Sequence, residues 1–235
     1  MPMTRQFKDR VPVNAPLLLY NGSAAYDTRK KEITFCHEIH EDLWELIPAV
    51  IRRFPDMTVE VQGIRAHYRF QENPAWDALC DSSLCARAMA HPGDDLGPFM
   101  KFALYGTIHT DEISDMFRGT PEELRRMDQV QQALTEELGD RMEVFRSAAR
   151  ILDVHAKGVS KNRSAQELKA QLGKKLLVCV GDGENDVSML DGADYAFCPG
   201  DSVVSDRYPN VCSCGEGAVA DVIYRELPKI ISLYT

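Results

Sequence analysis

The chain has 235 residues, 44% of them apolar and 27% charged, the balance of an ordinary folded protein. At roughly 150 residues per domain it holds one large or two smaller domains. Lys and Arg number 27 against 36 Asp and Glu, a formal net charge of −9, which argues against both nucleic-acid and anionic-membrane partners, since each needs a clustered basic face. No apolar run approaches the ~18 residues of a membrane span. The N-terminus, MPMTRQFKDR, lacks the apolar stretch of a secretory signal. Seven irregularly spaced cysteines read as reduced thiols rather than a disulfide framework, and so as a cytoplasmic protein.

In chain order, Pro16 to Tyr20 is a short apolar run that ends at the turn pair Asn21-Gly22. Ile39 to Phe54 has helical periodicity, with Leu43, Leu46, Ile47, Val50 and Ile51 on one face. Met57 to Val61 and Arg65 to Phe70 read as strands, and 73–97 is mixed, broken by Pro74, Pro92 and Gly93. Phe99 to Tyr105 is another strand. A helix start follows, with Thr120 at the cap, Pro121 at the first helical position and Glu123 three residues after the cap. That helix should reach Leu138 and stop at Gly139. Two more strands come next, Met142 to Ala148 and Arg150 to His155, then a helix from Ser160 to Leu172 closed by Gly173.

Lys175 to Val180 is nearly continuous in apolar residues, as expected of a strand buried on both faces of a parallel sheet. Short strands at 195–198 and 211–213 and a helix over 218–231 complete a βαβαβ pattern, which argues for an α/β fold. The chemistry lies in Gly181-Asp182-Gly183-Glu184-Asn185-Asp186, at the carboxyl end of that strand, where open α/β sheets place ligands. Asp182 and Asp186 are four apart, so on a first helical turn both carboxylates point at one spot. Such oxygens suit Mg²⁺, and Asn185 can donate to a phosphate oxygen. The alternative is a capped turn in which Asp and Asn serve the helix alone. Strand, Gly-Asp-Gly, Asn-Asp and helix together favour the metal site. Upstream, Lys161 stands at a helix start, where positive charge is locally unfavourable unless an anion binds.

Gly158-Val-Ser-Lys161 and Gly181-Asp182-Gly-Glu-Asn185-Asp186-Val-Ser-Met-Leu resemble the third and fourth motifs of the haloacid dehalogenase superfamily, specifically its Cof-type phosphatases. Ala193-Asp-Tyr-Ala-Phe197, Gly215-Glu-Gly-Ala-Val-Ala-Asp-Val-Ile223 and the Asn21-Gly22 turn are similar to further family segments. The resemblance implies a Rossmann-like α/β core, a parallel sheet with flanking helices, formed by 1–28 and 156–235, plus an inserted α/β cap over 29–155. It further implies an Mg²⁺-dependent phosphatase of a small phosphorylated metabolite such as a sugar phosphate. Lys161 would neutralise the phosphoryl group as the catalytic lysine. Asp182 and Asp186 would hold the metal, the latter directly or through water, and Lys161 and Asn185 would bind phosphate.

The family's nucleophile sits in Asp-x-Asp-Gly-Thr after the first strand. No apolar strand followed by Asp-x-Asp occurs here, and Asp111, Asp115, Asp191 and Asp194 have other surroundings. The expectation is therefore a start set too late or an N-terminal truncation, or else a partner chain that supplies the missing strands, with a homo-oligomer also left open. A non-catalytic phosphometabolite-binding protein is the alternative. Cys36-His37 with His40 and Cys212-x-Cys214 lack the spacing of zinc or redox motifs. Trp44 and Trp76 read as core, while His67, Tyr68 and Arg69 could face substrate.

Overall fold

The computed structural model describes residues 13–79, 87–110 and 113–234. Asp111 and the cysteines at 80 and 85 lie outside them. Contacts divide the chain into two compact units, Met1–Val159 and Ser160–Thr235. Residues 13–28, which the resemblance groups with the C-terminal segment, thus fall in the first unit.

That unit opens with an antiparallel sheet of β1 (Leu17–Leu19), β2 (Ala24–Asp27) and β3 (Glu32–Cys36). The Asn21-Gly22 turn forms as expected, in a 3-10 segment with φ of 51° at Tyr20, 53° at Asn21 and 100° at Gly22. Asn and Gly tolerate this left-handed region, whereas Tyr20 is strained there. The turn is held from outside. The Asn21 amide donates to Asp153 Oδ2 at 2.8 Å, and Ser23 Oγ lies 2.8 Å from His155 Nδ1.

A six-stranded mixed sheet follows, in the order β6 (Arg87–Met89), β5 (His67–Arg69), β4 (Thr58–Gly63), β7 (Phe99–Tyr105), β9 (Ile151–Ala156), β8 (Met142–Ala148). Neighbours are antiparallel except β5 and β6, which are parallel. Helices α1 (Leu43–Arg53) and α3 (Pro121–Leu138) pack on one face. Their Ile47, Val50, Met127, Val130, Leu134 and Leu138 meet Val59, Val61, Phe102, Leu104, Leu152 and Val154. The period-two pattern of the strands and the helical period of α1 and α3 therefore close one core, each large side chain contributing roughly 1.5–3 kcal/mol.

Helix α1 starts at Leu43 rather than near Ile39, because the Asp42 carboxylate accepts the Trp44 N–H at 2.8 Å and caps it there. The mixed stretch contains α2 (Pro74–Leu79) as well as β6. Trp76 of α2 is buried as core and donates its Nε1–H to Glu60 Oε2 at 2.8 Å. Trp44 packs against Phe70 with ring centroids 5.0 Å apart. Of the residues that could face substrate, Tyr68 belongs to the apolar core instead. His67 is buried 2.9 Å from Glu60, and Arg69 pairs with Asp77.

The second unit holds a parallel sheet, β10 (Val178–Val180), β11 (Tyr195–Pro199) and β12 (Asn210–Val211), with α4 (Lys161–Gln171) and α5 (Val187–Asp191). Cys179, Leu190, Cys198 and Val204 form its core. β10 is shorter than the apolar run, and only Cys179 is buried, Val178 and Val180 being half-buried. Among the described residues β10 pairs with β11 alone. The chain ends in α6 (Ala218–Asp221), a π turn over Val222–Glu226 and α7 (Leu227–Ser232). No helix among the described residues is long and apolar enough to cross a membrane.

Candidate active site

Two helix starts bring the sequence-predicted residues together. Ser160 caps α4 by accepting the Arg163 N–H at 3.1 Å, which sets Lys161 as the first helical residue. After β10 the chain turns through Gly181, Asp182 and Gly183 into a 3-10 segment, Glu184–Asp186, and then α5. Asp186 folds back over this turn. Its Oδ2 accepts the N–H groups of Asp182 and Gly183, each at 3.1 Å, and its Oδ1 lies 2.5 Å from Lys161 Nζ. The ammonium and carboxylate keep side-chain exposures of 26% and 9%, so the pair is reachable on the lysine side.

This geometry corrects the helical argument for the two carboxylates. Asp182 and Asp186 do not share a first helical turn, since Asp182 precedes the 3-10 segment and Asp186 caps its backbone. The capping reading is thus met by Asp186, whose other oxygen faces Lys161. Asp182 is exposed, and Asn185 half-buried. The glycines have a steric reason. A Cβ on Gly181 would stand 2.5 Å from Asp186 Cβ, and one on Gly183 would stand 2.9 Å from Asn185 Oδ1.

Helix α4 is held at this spot by close approach. A Cβ on Gly192, just past α5, would fall 2.1 Å from Asn162 Oδ1, and the Gln166 amide donates to the Gly192 carbonyl at 2.6 Å. Below the site the buried Cys179 thiol is pushed up to about 11, first by burial and then by the negative charges of Asp186 and Asp194. It is a protonated core group, not a nucleophile.

The donor set suits a small hard cation. Asp182 presents an exposed carboxylate, Asn185 an amide oxygen, and the Gly181–Gly183 cradle would be filled by any Cβ. Among the described residues no group of three or more His, Cys, Asp or Glu is arranged to enclose a metal. Cys36, His37 and His40 form no such group either, and Cys36, Cys212 and Cys214 are free thiols.

A model of the haloacid dehalogenase-like hydrolases matches residues 1–204. The chain belongs to this family. Solved structures of haloacid dehalogenase-like proteins share its fold. A haloacid dehalogenase-like hydrolase from Bacteroides thetaiotaomicron is 19% identical, with a TM-score of 0.66 over 89% of this chain and 76% of that one. TM0651 from Thermotoga maritima is 18% identical, with a TM-score of 0.65 over 94% and 78%. The HAD subclass IIB sugar phosphatase BT4131 is 15% identical, with a TM-score of 0.70 over 94% and 78%. Sequence reasoning did not anticipate the bond in which the Asp201 carboxylate accepts the Cys214 N–H at 2.9 Å, at the carboxyl edge of the parallel sheet. The only sequence signal was the place of Asp201, directly after the Pro199-Gly200 end of β11.

Proposed function

We propose that this hydrolase is an Mg²⁺-dependent phosphatase of small phosphorylated metabolites, with sugar phosphates the leading class. The observation that carries the reading is the Lys161–Asp186 contact at the carboxyl end of a parallel strand, with Asp182 exposed beside it. The likeness to BT4131, a sugar phosphatase, supports the substrate class.

In this reading Asp186 holds Lys161 in place with one oxygen. An ammonium has three protons, so two remain to meet phosphoryl oxygens. The Asn185 amide donates to the same group. Asp182 would hold Mg²⁺, with Asp186 acting through water, because its oxygens already serve Lys161 and two backbone N–H groups. When bound, the ion supplies positive charge against the phosphoryl oxygens. Positioning plus electrostatic stabilisation is most of what phosphoryl transfer requires.

The test is phosphate release from p-nitrophenyl phosphate and a panel of sugar phosphates in Mg²⁺. Asp182→Asn should lower turnover by roughly 100-fold; equal turnover would sink the assignment. Two observations favour a second reading, a non-catalytic phosphometabolite-binding chain or a subunit completed by a partner chain. The sequence has no Asp-x-Asp after an apolar strand, and β10 has one neighbour among the described residues. Thermal stabilisation by the same panel without phosphate release would mark that reading.

A further inference from the structure

Helix α4 is tied along one face. Asn162, Gln166 and Lys169 follow the i, i+4, i+7 spacing of a single helical stripe, and all three meet the chain just past α5. The Asn162 carboxamide stands over Gly192, the Gln166 amide donates to the Gly192 carbonyl at 2.6 Å, and Lys169 Nζ lies 2.7 Å from Asp194 Oδ2. The same Asp194 oxygen accepts the Leu177 N–H at 2.7 Å, which joins this corner to the residue before β10.

Gly192 does not use glycine's backbone freedom. Its φ of −89° and ψ of −4° are right-handed values open to other residues. What excludes a side chain is Asn162, whose Oδ1, Cγ and Nδ2 all lie within 2.5 Å of the point a Cβ would occupy. The whole carboxamide fills that place, not its tip alone. Its Oδ1 is buried with no hydrogen-bond partner among the described residues, so packing rather than a bond to that oxygen places it. Both site residues adjoin this corner. Lys161 precedes Asn162 as the first residue of α4, and Asp186 precedes α5, the five-residue helix that Gly192 closes. Lys161 Nζ and Asp186 Oδ1 meet at 2.5 Å.

We propose that Gly192 is a positioning residue: by leaving room for the Asn162 carboxamide it lets the first turn of α4 lie on the end of α5, and so sets the Lys161 ammonium where it meets both Asp186 and a phosphoryl oxygen. The inference rests on the phosphate-binding reading of Lys161.

Calorimetric titration of inorganic phosphate into the full chain with Mg²⁺, with melting temperatures measured alongside, tests it. Gly192→Ala should weaken phosphate binding by roughly tenfold, the worth of one hydrogen bond to a charged group. Adding Asn162→Ala, which clears the carboxamide, should restore most of the affinity. Gly192→Ala with wild-type affinity would mean that the carboxamide swings aside without moving Lys161, and would overturn the proposal. A double variant as weak as Gly192→Ala would overturn it as well, since the collision is then not the cause. If Gly192→Ala does not fold, Gln166→Met carries the test, because it removes the donor to the Gly192 carbonyl. It should weaken binding several-fold, and a lower melting temperature with unchanged affinity would reduce the corner to a structural one and overturn the proposal. Wild type that binds no phosphate would instead remove the reading of Lys161, and the proposal with it.

Discussion

The imidazole of His155 is fully buried between Ser23 and Asn21, and burial first, then the Lys101 ammonium, push its pKa from 6.5 down to about 4. The folded state therefore keeps it neutral while an unfolded chain takes up a proton below about 6.5. Stability is complete above that value and falls as pH drops towards 4, by about 3 kcal/mol at ~1.4 kcal/mol per unit. Below 4 this group adds no further slope. Urea melts between pH 7 and 4 should show the decline, and His155→Gln should flatten it; an unchanged slope would contradict the account. At this scale the site was partly legible. Lys161, Asp182, Asn185 and Asp186 stand in local motifs whose residue types declare hard-oxygen and phosphate chemistry. The Asp201–Cys214 bond was not legible, because it joins residues thirteen apart and no local pattern announces it.

Helix α3 shows why some elements could be read in advance. Thr120 Oγ1 accepts the Glu123 N–H at 3.3 Å and Glu123 Oε2 accepts the Thr120 N–H at 2.8 Å, so the capping box forms as written in the sequence. Thr120→Ala should cost about 0.5–2 kcal/mol of stability, measured by chemical denaturation; no loss would mean the cap is redundant. β7 was equally legible, because Phe99–Tyr105 is apolar but for Lys101, the near-continuous run of a strand at the sheet centre. α2 and β6 escaped, since segments of six and three residues carry too little periodicity, and their places come from pairing with β5 and from the Trp76–Glu60 bond. The carboxylate pair was misread for a related reason. The turn after β10 is tightened by Asp186 accepting backbone N–H groups, a nonhelical geometry that four-residue spacing does not reveal.

For the molecule as a whole, an α/β chain of two compact units emerges, and the family model spans residues 1–204. The strands read at 57–61, 65–70, 99–105, 142–148 and 150–155 anticipate five of the six strands of the mixed sheet, all but β6, and the apolar run before Gly181 anticipates β10 of the parallel sheet. What those patterns left open is pairing: β10 has a single neighbour among the described residues, and strand order is a nonlocal property that hydrophobic period cannot encode. The central claim is that Lys161 and the Gly181–Asp186 turn form one phosphoryl-binding site. Calorimetric titration of inorganic phosphate into the Mg²⁺-loaded protein, wild type against Lys161→Met, tests it most directly. The account predicts measurable binding by wild type and a loss of roughly tenfold or more in the variant, the worth of a charge-assisted hydrogen bond. Equal affinity in the two proteins would contradict it.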